Sequence, residues 1–315
     1  MVKHKLIITK ILILIITGMF LFGCTAQSAN ESNADGAVAF TDALGNTIFV
    51  SDPQRVISLM GSYTEAWMLA GGKIVATTSD AIEERGLELD EDVQIIGTVK
   101  EPNLEKIIAL DPDFVILSAD LAPHISAAET LKKAGITCAF FKVELFDDYL
   151  NMLNIMTDIT GRKDLYQTNG LDIKSQIDTI ISNVDEQKKP TVLFLRAFSS
   201  GVKSKGEDNM VGAMLKDLNA VNIVTAYPSL LENLNIEEIV LADPDYIFIS
   251  TMGADSQKAI DVVDESLLSN EAMKNVTAVK NNHCYILDKE HFQYKPNLRW
   301  AESYEILYND LYENQ

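Results

Sequence analysis

From Lys163 to Gln187 the apolar residues Leu165, Leu171, Ile173, Ile177, Ile180, Ile181 and Val184 recur mostly three or four positions apart. That spacing puts them along one face of a long helix. At about 1.5 Å per residue, the segment 163–187 reaches roughly 37 Å, enough to cross two lobes from side to side. Gly161 and Arg162 precede it, and Lys188, Lys189 and Pro190 stop it. Gly170 falls in its second turn, where glycine costs about 1 kcal/mol against alanine, so a kink or break would fall there.

Similar text flanks this spine. Asn103 to Ser118 reads NLEKIIALDPDFVILS and Asn235 to Ser250 reads NIEEIVLADPDYIFIS. Each reads as a short helix capped by Asn, a Pro-containing turn that ends it, and a buried strand of continuous apolar residues. Before the spine, Val38 to Val50 alternates around Leu44-Gly45-Asn46 and predicts a hairpin. Strand and helix signals then alternate: Ile74–Thr77, Gln94–Ile96, Leu104–Ala109, Phe114–Ser118, Ser126–Ala134, Thr137–Phe141 and Asp147–Thr160. After it come a strand at Thr191–Leu195, a helical run over 258–268, a strand at Cys284–Leu287 and a closing helix over 299–312. The class is α/β: two lobes, each a mostly parallel sheet flanked by helices.

The chain opens with Lys3, Lys5 and Lys10 and an apolar run that ends at Leu21-Phe-Gly-Cys24. The run is short and reads as an export signal rather than a spanning helix. Leu-x-Gly-Cys resembles a bacterial lipoprotein cleavage box, in which Cys24 becomes the lipidated first residue. Residues 25–36 hold too little apolar content to order themselves and read as a tether. The whole chain has 315 residues and a formal net charge of -20. A phosphate backbone demands a basic surface, so nucleic acid is excluded as a partner. Cys138 and Cys284, one per lobe and each in a strand-like run, read as two buried free thiols rather than a disulfide.

Ligands of parallel sheets gather at the carboxyl ends of strands, here near Ser79, Asp80, Thr98, Lys100, Asp120 and Glu144. The strand 55–59 meets a helix start at Gly61, and a loop there offers backbone N–H groups to a ligand, with Met60, Ser62 and Tyr63 beside it. The same text also fits an ordinary connection capped by Ser62. Arg196, Lys203 and Lys205 follow the strand 191–195 and form a positive wall for an anionic solute. The two lysines fit equally well as surface partners of Glu207 and Asp208. The loop 288–296 carries His291, Phe292 and Tyr294, aromatics that either stack on a planar ligand or pack the loop onto the body. Histidines at positions 124, 283 and 291 lack metal-ligand spacing, and the chain has no GxSxG elbow, Walker loop or GxGxxG fingerprint. No metal site or covalent cofactor is expected, and an enzyme is the minor reading.

With the lipobox, the spine and the paired Asn-x-Glu units, the chain resembles the solute-binding lipoproteins of bacterial ABC importers for iron complexes, haem and cobalamin. The resemblance covers about Val38 to Gln315, and its most specific parts are Arg55–Glu65, Gly97–Leu117 with Pro-Asn-Leu-Glu, and the second-lobe counterpart. It implies two lobes joined by one rigid helix, with the ligand cleft between them. The division is a signal peptide over 1–23, a tether over 24–36, lobes over 37–162 and 188–315, and the linking helix over 163–187. It also implies a glutamate at a helix start in each lobe meeting arginines of the permease dimer. Here these are Glu105 and Glu237, with Glu238 the latter's neighbour. The expected protein is an extracytoplasmic monomer held to the membrane by the lipid on Cys24. Its cations favour a ferric siderophore or another anionic chelate. A corrinoid or haem stacked on Tyr63, Phe292 and Tyr294 is the alternative. A free-metal binder and a surface-attached enzyme are further readings.

Overall fold

A computed structural model describes residues 36–253 and 255–313. The signal segment, Cys24 and the tether up to residue 35 lie outside the described residues. A hairpin comes first: β1 (Val38–Thr41) and β2 (Thr47–Val50) pair antiparallel, Val38 opposite Val50. The Asp42 carboxylate closes its turn by accepting from the N–H groups of Leu44 and Asn46 at 3.0 and 2.8 Å.

Five parallel strands follow in the order β5-β4-β3-β6-β7, namely Gln94–Ile95, Ala76–Thr77, Val56–Ser58, Phe114–Ser118 and Thr137–Phe141. Successive strand side chains point to opposite faces. Val56, Phe114 and Ile116 therefore pack with the helices Gly61–Leu69 and Phe146–Thr160. Ile57, Val115 and Leu117 pack with Leu104–Ala109 and Ala122–Lys133. A second sheet has the order β10-β8-β11-β12, namely Val221–Asn222, Thr191–Phe198, Tyr246–Thr251 and Cys284–Leu287, all parallel. β9 (Gly201–Ser204) lies antiparallel on β8. Val192 and Phe194 face the helices Met210–Asp217 and Trp300–Tyr308, while Leu193, Leu195 and Ala197 face Ser256–Val263. The structure thus holds the two sheets, each flanked by helices on both faces, that the alternation predicts.

The repeated Asp-Pro-Asp has the same physical job in both lobes. Asp111 and Asp243 each take a left-handed conformation, φ 47° and 44°, which ends the preceding helix. Two residues on, the Asp113 carboxylate accepts from the N–H groups of Gln54 and Arg55 at 2.7 and 3.0 Å, and Asp245 accepts from the Thr191 N–H at 2.8 Å. Each second aspartate therefore pins the start of the neighbouring strand, β3 in one sheet and β8 in the other.

The linking segment is Lys163–Tyr166, a π turn Gln167–Leu171 and Asp172–Ser182. The irregularity expected at Gly170 is this π turn, in which a wider loop of backbone accommodates an extra residue. Its cause is a close approach: a Cβ at Gly170 would lie 3.1 Å from Leu150 Cδ2 and 3.2 Å from Leu153 Cδ2. Tyr149 Oη donates to the Asn169 carbonyl at 2.8 Å, and Asn169 Nδ2 to that of Leu69 at 2.8 Å. The helix ends at Ser182 rather than at Gln187, because the Asp185 carboxylate accepts from the Gln187 N–H at 2.9 Å and turns the chain. Ile173 and Ile177 are buried in one apolar cluster that includes Phe114 and Met152 on one side and Phe194, Met214 and Trp300 on the other. Phe146 and Trp300 meet edge to face, centroids 5.5 Å apart. The halves therefore share a core. Cys138 and Cys284, the two cysteines among the described residues, are free, and burial raises the Cys138 thiol to about 12 and the Cys284 thiol to about 11.

Gly170→Val adds branched bulk where the two helices touch, and overpacking of this kind costs about 1–3 kcal/mol. A lower urea midpoint with an unchanged slope is the expected outcome; an unchanged midpoint would show that the approach at Gly170 is loose.

Candidate functional site

The carboxyl edges of both sheets carry the loops that gather charge. In the first lobe β6 leads to Asp120, and β7 to Lys142 and Glu144. Lys142 Nζ lies 3.5 Å from Asp120 and 3.4 Å from Glu144, so it offsets the two acids. In the second lobe β8 carries Arg196, and the loop after β12 carries Lys295. Both are half-buried. Neither makes a side-chain hydrogen bond or ion pair with any described residue. Burial holds each cation's pKa below its ordinary value. For Arg196 the opposing influences are Glu144 and Asp208; for Lys295 they are Asp120, Glu144 and Asp148, with Arg196 adding repulsion. Both cations thus feel the first-lobe acid Glu144, and Lys295 also feels Arg196. Two partly dehydrated cations with unspent donors can bind an oxygen-rich anion, Arg196 in a two-pronged manner.

Lys203 stands directly across the β8–β9 ladder from Arg196 and is exposed. Lys205 sits apart, in a depression of about 540 Å³ with Ser204, Thr225 and Leu231. Glu207 pairs with Lys216 at 2.6 Å, so it is not the partner of either lysine. His291 is engaged by Asp288 at 2.9 Å and Glu302 at 3.2 Å. Met60 is half-buried, and exposed Thr98 accepts from the Glu101 N–H at 3.1 Å. Tyr294 is half-buried, and its hydroxyl, raised above the ordinary value mainly by burial, makes no hydrogen bond with any described residue.

Three expectations are corrected. Tyr63 is fully buried, donates to the Phe141 carbonyl at 3.1 Å and packs edge-on against Phe141, so it belongs to the core and offers no stacking face. Phe292 is 2% exposed and packs its loop onto the body. The Gly61 N–H is not open to a ligand: the buried Asp80 carboxylate accepts from it at 2.7 Å, and Ser62 is 4% exposed. A planar ring ligand thereby loses two of its three proposed surfaces.

A buried polar cluster ties the lobes together. Glu65 pairs with Arg85, whose side chain is 2% exposed, and reaches Arg299 at 3.3 Å. Asn297, fully buried and left-handed at φ 54°, donates to Glu65 at 2.7 Å and to the Ser62 carbonyl at 2.8 Å. Sequence reasoning missed Lys295, Arg85 and Asn297, because isolated polar residues in loops have no periodicity; the only signals were an arginine in an acidic stretch and Pro-Asn-x-Arg before the closing helix. His124 is also buried: its Nδ1 accepts from the Ser118 N–H at 3.0 Å, and Nε2 lies 2.8 Å from the Val99 carbonyl, a neutral ring holding two strand-end loops. Among the described residues no group of three or more His, Cys, Asp or Glu is placed to hold a metal ion.

Glu105 and Glu237 are exposed in the first turns of the helices Leu104–Ala109 and Ile236–Ala242. Asn103 accepts from the Lys106 N–H at 3.0 Å, and Asn235 from the N–H groups of Glu237 and Glu238 at 2.9 and 3.5 Å, so an asparagine caps the helix in both lobes. Glu238 accepts from Ser229 Oγ at 2.6 Å, which leaves Glu237 as the unengaged acid.

A two-lobed α/β body with charged loops converging from both sheets is the architecture of a solute-binding protein. The chain belongs to the periplasmic binding protein family, whose model matches residues 56–291. It is 27% identical over 289 residues to the Fe(3+)-citrate-binding protein YfmC of Bacillus subtilis (strain 168), covering 88% of each chain. An ABC transporter substrate-binding protein from Listeria monocytogenes EGD-e superposes with a TM-score of 0.68 at 23% identity, over 84% of this chain and 100% of that one. The Staphylococcus aureus haem complex of IsdE does so with a TM-score of 0.66 at 19% identity, over 82% and 98%.

Glu65→Ala leaves the buried Arg85 guanidinium uncompensated, a change that costs about 3–5 kcal/mol. Chemical denaturation should show that loss, and Glu65→Ala combined with Arg85→Ala should recover part of it; a single variant as stable as the parent would remove the cluster's structural role.

Proposed function

We propose that this chain is the lipid-anchored, extracytoplasmic component of an ABC importer, a monomeric binding protein rather than an enzyme, and that it captures an anionic iron chelate between its lobes. The reading rests on Arg196 and Lys295: half-buried cations at the carboxyl edge of the second sheet, without a side-chain partner among the described residues. Lys203 extends the same positive edge, and Tyr294 supplies the remaining polar aromatic. The match to a relative named for ferric citrate favours a carboxylate-bearing complex, and burial of Tyr63 and Phe292 disfavours haem or a corrinoid. Cys24 would carry the lipid, and Glu105 and Glu237 would meet cations on the permease, setting orientation and encounter rate.

Ferric citrate titrated calorimetrically is the direct test. A charge-assisted hydrogen bond is worth about 1.5–3 kcal/mol, so Arg196→Ala or Lys295→Ala should weaken binding at least about tenfold. Unchanged affinity in both variants would overturn the assignment. Lys295 binds an anion only while protonated, and its pKa is lowered. Affinity should therefore fall as pH rises through that lowered value, whereas Lys295→Arg should move the fall to higher pH. Glu105→Ala with Glu237→Ala should abolish uptake and leave ferric citrate affinity intact; weakened affinity instead would remove their docking role.

A further inference from the structure

Lys295 stands where no regular element holds it: it follows the helix Lys289–Phe292 and precedes the short turn Asn297–Arg299. On its upstream side the N–H groups of Gln293 and Tyr294 donate to the Lys289 carbonyl at 3.0 and 2.8 Å, within the second lobe. On its downstream side the hold comes from the first lobe. Asn297, two residues on, is fully buried, and its Nδ2 donates to the Ser62 carbonyl at 2.8 Å and to Glu65 Oε2 at 2.7 Å. Both acceptors belong to the helix Gly61–Leu69. Between Lys295 and Asn297 there is little slack, because Pro296 is buried and its ring holds φ at -62°.

The accepting side is itself fixed. Glu65 is engaged by Arg85 and by Arg299, and the start of its helix is tied down where the Gly61 N–H donates to Asp80 at 2.7 Å. Asn297 takes φ 54°, a left-handed conformation that glycine and asparagine adopt most readily, so backbone and side chain select the same residue. Lys295 needs such a hold. A lysine on a free loop carries its amine out to water along a flexible stem, yet this one is half-buried with no side-chain partner among the described residues. Burial lowers its pKa, Asp120, Glu144 and Asp148 of the first lobe oppose that, and Arg196 adds repulsion. A fixed backbone origin keeps the amine among these charges.

We infer that Asn297 is a positioning residue: by hydrogen-bonding across the seam to Ser62 and Glu65 of the first lobe, it fixes where the Lys295 amine stands. The second lobe's share of the anion site thus takes its shape only against the first lobe. Asn297 touches no solute itself and acts through the loop it anchors. The inference deepens the anion-binding reading given above and rests on it.

Calorimetry with ferric citrate on the full chain, in a cycle of Asn297→Gly and Lys295→Ala, tests it. Glycine adopts the same left-handed backbone without the side-chain bonds. Asn297→Gly alone should weaken binding at least about threefold, and should add almost nothing once Lys295→Ala is present. Equal weakening in both backgrounds would make Asn297 a residue of general stability and overturn the inference. Asn297→Asp keeps the size but removes the donor, and it should behave as Asn297→Gly does; parental affinity in both variants overturns the inference as well. A second readout needs no ferric citrate. NMR of isotope-labelled lysines, with the Lys295 signal assigned by its loss in Lys295→Ala, follows the amine's titration. Freed to reach water, the amine in Asn297→Gly should titrate at higher pH than in the parent, and an unmoved titration refutes the positioning role. Unchanged ferric citrate affinity in Lys295→Ala would instead overturn the anion reading, and the titration then decides the role of Asn297 by itself. Failure of both Asn297 variants to fold would assign the residue to stability alone, against the inference.

Discussion

The carboxylate of Glu65 is the constraint on which the arrangement of the two halves depends. It sits nearly out of water and receives Arg85 from its own lobe and Asn297 and Arg299 from the other. A charge in such a place is tolerable only with its partners in position, since desolvation costs more than any single partner returns. The cluster's ion pairs and hydrogen bonds thus form in one arrangement of the lobes, while Arg85 Nε and Nη1 and Asn297 Oδ1 have no partner among the described residues. It lies beside the shared apolar core, where Phe146 meets Trp300. Directional polar contacts and non-directional burial reinforce each other at the same seam. A large swing of one lobe against the other would have to break both.

That stiffness bears on how the cleft meets its solute. Arg196 and Lys295 keep their hydrogen-bond capacity unspent although burial disfavours their charge, and the surrounding structure maintains this unfavourable state in advance. For the anion proposed above, little ordering would remain to be done on arrival, which is the physical content of preorganisation. Of the neighbouring acids, Asp120 and Glu144 share Lys142, which offsets part of their charge.

Much of the fold was legible in the residues because burial on both faces of a parallel strand leaves uninterrupted apolar runs, as in Phe114–Ser118 and Tyr246–Thr251. The spine was legible from its spacing, and Gly170 announced the π turn, although only packing against Leu150 and Leu153 explains why a glycine sits there. The repeated Asp-Pro-Asp was visible as a pattern; its function, pinning the start of an adjacent strand, needed coordinates. The site was less legible. Arg196 could be picked out because a charge at the end of a buried strand is conspicuous, whereas Lys295 sits in a loop whose path is set by distant contacts. Tyr63 and Phe292 misled because an aromatic next to a strand end reads the same whether it faces the gap or the core. Only tertiary packing separates the two.

The closing helix has a consequence for how the molecule is made. Trp300, Tyr304, Leu307 and Leu311 fill the core common to both lobes, and Tyr246 donates from β11 to the Leu311 carbonyl at 3.1 Å. Tyr312 likewise reaches the Leu218 carbonyl at 2.6 Å. A nascent chain can therefore assemble its first sheet early, yet the seam joining the halves stays open until the segment 300–312 has been made.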